Sequence, residues 1–290
     1  MTITSRILVF LAYCCVVTLA NVGVLQRLFE FSRADSSASH LILIPFVTLW
    51  LVYDGRARIF SDVRTDWTLG LVLVAMGAAL RFGWGVEPAS GATVPWLIAA
   101  TAALAILWIA GFVLFFGRAA SRAAMFPLAF LVFMIPIPPV VLNAVVSFLK
   151  TGSTYAVDAL FALTATTYHR EGFVFTLPSV TIEIADECSG IRSSIALMLT
   201  SLLAGHLYLR TGWSKALLVA AVLPVAVLKN GIRITALSLL SIHVNPSFLE
   251  GRLHTDGGIV FFLISLGILA PVLIALRRAE RQPPGPAVLA

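Results

Sequence analysis

The sequence predicts an all-α integral membrane protein with about eight transmembrane helices and a short extracytoplasmic β-hairpin before the sixth. Three observations support this fold class. Of the 290 residues, 59% are hydrophobic and only 12% are charged, whereas soluble domains carry about 25% charged residues. The apolar residues form runs close to the roughly 20 helical residues that cross a bilayer. Basic residues stand singly between these runs, as in membrane topology signals, and form no nucleic-acid-binding patch.

The predicted spans follow one another along almost the whole chain. The first begins after a single Arg and is longer than the core of a signal peptide, so we interpret it as a membrane helix. The spans cover residues 7–25, 39–53, 67–83, 94–116, 123–138, 190–209, 216–242 and 257–276. They define a polytopic membrane domain over residues 1–281, and the Pro- and Gly-rich residues 282–290 are predicted to form a disordered tail.

Lys and Arg residues indicate the orientation of the spans. With the N-terminus in the cytoplasm, eleven of them fall in inside loops and six in outside loops. The inside set is Arg6, Arg56, Arg58, Arg64, Arg118, Arg122, Arg210, Lys215, Arg277, Arg278 and Arg281. We therefore expect a multi-pass protein of the cytoplasmic membrane with both termini in the cytoplasm.

The stretch between the fifth and sixth spans differs from a simple membrane helix. Prolines at residues 136, 138 and 139 are expected to break the fifth helix, because proline lacks the amide donor and clashes with the preceding turn. Residues 140–167 mix polar and apolar side chains, which predicts an amphipathic segment along the outer membrane surface. Residues 172–178 and 179–185 alternate as strands do around a Pro-Ser turn, which predicts the hairpin.

Three polar residues meet at the outer face in this topology, namely Cys188, Arg233 and His254. Ionisable residues within spans cost about 2.5–3.5 kcal/mol to insert, so they are candidates for function. A thiolate is a nucleophile, and helix N-termini and cations stabilise it. A histidine transfers protons near neutral pH, and an arginine offers a rigid fork of donors to a carbonyl or an oxyanion. Together these residue types predict acyl transfer.

Neighbouring charged residues are candidates for supporting roles. Arg192, one turn beyond Cys188, is a further cation for the thiolate, and Asp186 and Glu187 are candidates for positioning Arg192 or Arg233. The sequence is equally compatible with Asp186 and Glu187 as solvated residues of the hairpin that have no supporting role. It is also compatible with Arg233 in an ordinary ion pair. His243 is a second candidate for the role of His254. Cys14 and Cys15 lie inside an apolar run and are expected to be reduced and structural.

Three short segments resemble motifs of the exosortase/archaeosortase family. Glu-Cys-Ser-Gly-Ile-Arg-Ser-Ser at residues 187–194 is similar to its cysteine motif, and Asn-Gly-Ile-Arg-Ile at residues 230–234 to its arginine motif. His-Thr-Asp-Gly-Gly at residues 254–258 is similar to its histidine motif, and residues 126–138 resemble a further family feature. The segments occur in the family's order and spacing, and they extend over most of the chain.

The resemblance implies a cysteine peptidase or transpeptidase of the PEP-CTERM protein-sorting type, analogous to sortases on an unrelated fold. Cys188 corresponds to the nucleophile, Arg233 and His254 to its catalytic partners, and Asn230 to a supporting residue. The implied substrates are exported proteins with a C-terminal Pro-Glu-Pro motif, a transmembrane helix and a basic tail. Membrane lipid and an unidentified acceptor are further expected partners. The implied location is the inner membrane of a bacterium, with the active site at the periplasmic face and no cofactor or metal.

Two other functions fit the same residues. A membrane acyltransferase would use the same thiol on a lipid-linked donor. A transporter or polysaccharide-export component would place Lys229 and Arg233, one helical turn apart, along a polar path and keep Cys188 as a structural residue. The chain has no detectable internal repeat of the kind that many transporters show. No His-Glu-x-x-His motif occurs, which argues against a metalloprotease of that class.

Overall fold

The chain is mostly helical in the computed structural model, which describes residues 2–83, 93–185, 190–245 and 258–281. Within these ranges the α-helices, numbered in chain order, are α1 (Ile3–Ala20), α2 (Val22–Ala34), α3 (Ile44–Asp54), α4 (Arg56–Ile59), α5 (Trp67–Gly83), α6 (Val94–Ala123), α7 (Met125–Phe130), α8 (Pro139–Leu163), α9 (Ile191–Tyr208), α10 (Gly212–Ala220), α11 (Val222–His243) and α12 (Gly258–Ala279). Short 3₁₀ helices occupy Ser36–Ala38, Leu41–Leu43 and Leu131–Met134. The predicted tail, residues 282–290, lies outside the described residues.

Six of the described helical segments are long and apolar enough to cross a membrane. They are Ile3–Ala20, Ser36–Asp54, Val94–Ala123, Pro139–Leu163, Gly212–His243 and Ile259–Ala279. Shorter apolar segments cover Trp67–Gly83 and Met125–Met134. The prediction of an all-α, multi-pass membrane protein is therefore confirmed. The predicted sixth span corresponds to the 18-residue helix α9.

The structure corrects the sequence interpretation on either side of the prolines. The predicted fifth span, 123–138, consists of the six-residue helix α7 and a 3₁₀ turn that ends at Met134. The segment expected on the membrane surface, 140–167, is instead the 25-residue helix α8, which is long enough to span. Pro139 begins this helix because the first helical position needs no amide donor. The polar residues that suggested an amphipathic surface include Ser153, which is buried within the protein.

The chain divides into two compact units, residues 1–139 and 140–290. In the first unit, α5 packs along α6 through glycines. A Cβ atom at Gly70 would lie 2.7 Å from the backbone of Leu114, and one at Gly77 would lie 2.9 Å from the side chain of Leu107. Small residues at such positions allow membrane helices to approach closely and gain dispersion contacts.

In the second unit, α8 and α11 approach each other closely through small residues. A Cβ atom at Gly152 would lie 2.8 Å from Val227, and one at Gly231 would lie 2.6 Å from the Cβ of Ala156. Between these contacts, the Asn230 side-chain amide donates a hydrogen bond of 3.0 Å to the Ser153 hydroxyl. The contact therefore combines close backbone approach with a buried polar bond, both of which are typical of helix association in membranes.

Replacing Gly231 by alanine is expected to destabilise the second unit, because the added methyl group overlaps Ala156 and overpacking costs about 1–3 kcal/mol. In a detergent-solubilised thermal melt we expect a fall in Tm of about 3–8 °C. The double variant Gly231→Ala with Ala156→Gly should regain at least half of this loss. Gly267→Ala is the matched control because a Cβ atom there meets nothing within 4 Å. Equal Tm values for Gly231→Ala and Gly267→Ala would contradict the prediction.

A three-stranded antiparallel sheet follows α8, with the strands β1 (His169–Glu171), β2 (Val174–Thr176) and β3 (Thr181–Glu183) in the order β1-β2-β3. The predicted hairpin is confirmed as β2 and β3, in which Phe175 lies opposite Ile182. The first strand was not predicted. The buried residues of the sheet form one core cluster with α8 and α11, consisting of Val157, Phe161, Phe175, Leu177, Ile184 and Ile234.

A hydrogen bond and an ion pair hold the start of the sheet to the C-terminal part of α8. The Tyr168 hydroxyl donates a 2.6 Å hydrogen bond to a carboxylate oxygen of Asp158, and Arg170 forms an ion pair of 3.4 Å with the other oxygen. The hydrogen bond to the carboxylate raises the pKa of Tyr168, because the phenol must stay protonated to donate it. The sheet is thus fixed to the helix that packs against α11.

The far end of α12 is also fixed within the second unit. Glu280 accepts hydrogen bonds from the amides of Thr211 and Arg210, at 2.9 and 2.8 Å, and from the Thr211 hydroxyl, at 2.7 Å. These donors lower the pKa of Glu280 to about 2, because they favour the charged carboxylate. The loop between α9 and α10 therefore holds the end of α12, the helix whose first residue, Gly258, is the last residue of the histidine motif.

Candidate active site

The candidate site is centred on the first turn of α9, which begins three residues after Cys188. Gly190 caps this helix with a left-handed backbone, φ 73° and ψ 21°, a conformation that glycine adopts without steric cost. The hydroxyls of Ser193 and Ser194 both donate hydrogen bonds of 2.9 Å to the Gly190 carbonyl. The turn that leads from the cysteine motif into α9 is therefore closed by its own side chains.

This turn lies directly against α11. A Cβ atom on Gly190 would lie 3.0 Å from the Asn230 side-chain oxygen and 3.0 Å from the Lys229 ammonium nitrogen. Lys229 also donates a hydrogen bond to the Ser193 hydroxyl. Residues of the cysteine motif thus contact the helix that carries the arginine motif, although the two hydrogen-bonded partners are 36 positions apart in the sequence.

Three polar side chains of α11 differ in burial at this contact. Lys229 is only 2% exposed and Asn230 is fully buried, while Arg233 is half-buried one turn further along the helix. Lys229 and Arg233 are close enough to interact electrostatically. The Arg233 guanidinium therefore lies in surroundings drier than bulk water, where charge-assisted hydrogen bonds are stronger.

The other predicted site residues divide into two groups. Cys188, Asp186, Glu187 and His254 lie outside the described residues. Arg192 is described and lies exposed on the first turn of α9. Among the described candidates, Asn230 of α11 lies against the start of α9, and Arg233 lies one turn further along the same helix.

Sequence reasoning did not identify Ser193 or Ser153 as partners of α11. Ser193 lies in the cysteine motif and accepts a hydrogen bond from Lys229, and Ser153 lies in the segment predicted on the membrane surface and accepts one from Asn230. Lys229 was considered only as the lining of a transport path, although a lysine within an apolar run is a signal of function or pairing. Its partner is not readable from the sequence, because the contact joins distant segments. Within the described ranges, no three His, Cys, Asp or Glu side chains come together to hold a metal ion.

A comparison with protein-family models gives a match to transmembrane exosortases over residues 32–271. The matched region contains both the described site residues and the three sequence motifs. No curated protein and no solved structure matches the chain.

Proposed function

Because the chain belongs to the transmembrane exosortase family, we propose that it is a membrane-embedded cysteine transpeptidase that cleaves the C-terminal sorting signals of exported proteins. Family membership itself supports a membrane transpeptidase with a role in protein sorting. The observation that carries the finer proposal is the contact of Gly190 and Ser193 with Lys229 and Asn230. This contact joins the cysteine motif to the arginine motif, as a shared active site requires.

The proposed reaction begins with the Cys188 thiolate, which attacks the carbonyl carbon of the scissile peptide bond. The carbonyl oxygen becomes an oxyanion, and the Arg233 guanidinium stabilises it through charge-assisted hydrogen bonds. Collapse of this intermediate breaks the C–N bond, and His254 donates a proton to the leaving amine. The substrate is then held as a thioester on Cys188, while its C-terminal anchor departs.

The second half of the reaction regenerates the enzyme. An amine acceptor or water attacks the thioester carbonyl, and His254 takes the proton from this nucleophile. Collapse of the second tetrahedral intermediate breaks the C–S bond and releases the Cys188 thiolate. Arg233 stabilises the oxyanion in both halves. In this scheme Asp186 and Glu187 orient Arg192 or Arg233, and Asn230 holds α8 against α11 through Ser153.

The length of α10 and α11 supports a site near the membrane surface. The segment Gly212–His243 has 32 residues, or about 48 Å of helix, whereas the hydrocarbon core is about 30 Å thick. The sheet packs on Ile234, and Ile242 is packed against the same cluster, near the C-terminal end of α11. We place this end, with the sheet, at the periplasmic face of a bacterial inner membrane, consistent with the distribution of Lys and Arg.

The test is a processing assay in cells that co-express the enzyme with a tagged protein. The tagged protein ends in a Pro-Glu-Pro motif, a transmembrane helix and a basic cluster. We expect the native enzyme to shorten the protein and release it from its membrane anchor, and Cys188→Ala to abolish both changes. Cys15→Ala is the matched control, since Cys15 is an exposed free thiol on α1, and it should process normally.

Each outcome of this assay decides between functions. Persistent processing by Cys188→Ala at equal expression would show that another residue is the nucleophile. Absence of processing by the native enzyme, together with normal export of polysaccharide or solute by Cys188→Ala, would favour the transporter. Transfer of a lipid-linked acyl group without cleavage of the tagged protein would favour the acyltransferase.

A further inference from the structure

A cluster of basic side chains lies where the end of α9, the start of α10 and the end of α12 meet. Glu280, which follows α12, accepts hydrogen bonds of 2.8 and 2.9 Å from the amides of Arg210 and Thr211. The Arg277 guanidinium lies 5.6 Å from the centre of the Tyr208 ring, at the end of α9. Three helices therefore contribute to one surface, which we call the basic end. Its bases are Arg210, Lys215, Arg277, Arg278 and Arg281.

The acid at the basic end does not neutralise these bases through ion pairs. Glu280 is the one Asp or Glu among residues 190–245 and 258–281. Its carboxylate oxygens accept hydrogen bonds from two backbone amides and from the Thr211 hydroxyl. Within the described ranges, no ion pair joins a carboxylate to any of the five bases. Five bases and one acid leave a net charge of +4 on this surface at neutral pH.

The acids of the second unit that lie outside the described ranges adjoin the other ends of these helices in the sequence. Asp186 and Glu187 precede α9, whose 18 residues correspond to about 27 Å of helix. Glu250 and Asp256 precede α12, whose 22 residues correspond to about 33 Å. Residues 282–290, which follow the basic end in the sequence, contain no Asp or Glu. The positive charge of the basic end is therefore available to a partner.

Exposed apolar and aromatic side chains place the basic end at the level of lipid headgroups. Leu207, Leu217 and Ile274 are exposed on α9, α10 and α12. Tyr208 is also exposed, and Trp213, in the first turn of α10, is 76% exposed. On a membrane protein, exposed Leu and Ile side chains contact acyl chains, and exposed Tyr and Trp side chains lie among the headgroups. The neighbouring bases therefore lie at the depth of the lipid phosphates.

We propose that the basic end binds the headgroups of anionic phospholipids, such as phosphatidylglycerol. Arg278 and Arg281 are exposed, and their guanidinium groups donate charge-assisted hydrogen bonds to the lipid phosphate, whose oxygens match the guanidinium fork. The exposed Trp213 ring packs beside the glycerol esters of the same lipid. Basic side chains at the membrane surface attract anionic lipids through the sum of their charges.

Charge complementarity selects the class of lipid. A phosphatidylcholine headgroup carries its own ammonium and is neutral, so it leaves the charge of the basic end uncompensated, whereas each phosphatidylglycerol supplies a negative charge. A free phosphate ion would compensate the charge but would leave the exposed apolar side chains uncovered. An anionic lipid satisfies both requirements. This inference is independent of the proposed peptidase reaction, because it involves no residue of the candidate active site.

The experiment measures which lipid lies next to Trp213. The full chain is reconstituted in phosphatidylcholine bilayers with a minor fraction of phosphatidylglycerol, and either lipid carries bromine atoms near the ester end of an acyl chain. Bromine quenches tryptophan fluorescence at short range, and the difference between the native chain and Trp213→Phe isolates the Trp213 signal. We expect phosphatidylglycerol to bind beside Trp213 at least about fivefold more strongly than phosphatidylcholine, since each base near an anionic surface strengthens binding by about this factor.

The double variant Arg278→Gln with Arg281→Gln removes two bases and should lower this preference to about twofold or less. Arg27→Gln with Arg33→Gln is the matched control, because it removes the same charge from exposed residues of α2, and it should keep the native preference. The inference is overturned by an unchanged preference in the first double variant, by an equal loss in both double variants, or by the absence of Trp213 quenching with either lipid.

Two further measurements use the native chain. Salt at about 1 M shortens the Debye length to about 3 Å, so the preference for phosphatidylglycerol should fall to about twofold. If the first double variant fails to fold, a preference that salt leaves unchanged overturns the inference. Soluble glycerol phosphate has the same headgroup chemistry without acyl chains and should not displace the lipid. Displacement by this compound would instead assign the basic end to a soluble phosphate ligand and overturn the lipid assignment.

Discussion

Gly117→Ala is expected to prevent normal accumulation of the protein in the membrane and to lower the Tm of any solubilised chain by about 5–10 °C. Gly117 lies within α6, yet its backbone has φ 79° and ψ −178°. This region of conformational space is essentially restricted to glycine, and another residue there costs about 1–3 kcal/mol. The backbone alone therefore makes the substitution unfavourable.

Packing at Gly117 adds to the backbone cost. A Cβ atom there would overlap the carbonyl oxygen of Arg64, which is a backbone atom and not the end of a flexible side chain. The Arg64 amide donates a 3.2 Å hydrogen bond to the Phe116 carbonyl, and Arg118 forms a 2.6 Å ion pair with Asp66. These two interactions hold the segment around Arg64 against the kink in α6. A shift of this segment away from a Cβ atom at residue 117 would therefore break them.

The measurement is a comparison of Gly117→Ala with Gly23→Ala, by membrane abundance and by thermal melt. Gly23 lies in helix α2, and a Cβ atom there meets nothing within 4 Å. Alanine at that position should be neutral or slightly stabilising, since it has a higher helix propensity than glycine. A Tm of Gly117→Ala within about 2 °C of the native value would contradict the conformation found at the kink.

The sequence predicts the helices well where apolar runs are long, but it fails where polar residues serve contacts inside the protein. Helix α8 was predicted to lie on the surface because it carries residues such as Ser153. In the structure this hydroxyl is buried and accepts a hydrogen bond from Asn230. Polar residues in a membrane helix therefore indicate either water or a neighbouring helix, and a single sequence does not distinguish the two.

The small sheet shows the same limit. Strands β2 and β3 contain alternating apolar residues and were predicted, whereas β1 is His-Arg-Glu and has no apolar alternation. Its stability comes from pairing with β2 and from the contact of Arg170 with Asp158. Such a strand is defined by its partners and leaves no periodic signal of its own.

The site residues themselves stay predictions. The predicted topology brings Cys188, Arg233 and His254 to one membrane face, and in the structure Gly190 at the start of α9 lies against Asn230 of α11. The sequence did not reveal the hydrogen bond of Lys229 with Ser193, because the two residues lie in segments that are distant along the chain. Roles for Cys188 and His254 remain predictions, to be tested by the variants above.

Arg233→Lys is expected to reduce the rate of substrate cleavage at least 100-fold, which corresponds to about 2.7 kcal/mol of transition-state stabilisation. Lysine keeps the positive charge but loses the planar fork that donates two parallel hydrogen bonds. Lys229 already supplies an ammonium one turn away. If charge alone were needed at Arg233, the substitution would therefore have little effect.

The test uses purified enzyme and tagged substrate in mixed micelles, with the single-turnover rate at saturating enzyme as the readout. Arg210→Lys is the matched control, because the interaction of Arg210 with Glu280 runs through its backbone amide and its side chain is exposed. The control should cleave within about twofold of the native rate, and both variants should retain the native Tm.

The two half-reactions separate a role in substrate binding from a role in stabilising the oxyanion. If Arg233 stabilises the oxyanion, Arg233→Lys slows both thioester formation and thioester transfer, since each passes through a tetrahedral intermediate. If Arg233 only binds the sorting signal, Arg233→Lys slows thioester formation at limiting enzyme, and saturating enzyme restores the native rate. Native single-turnover rates for Arg233→Lys would remove the guanidinium from the mechanism.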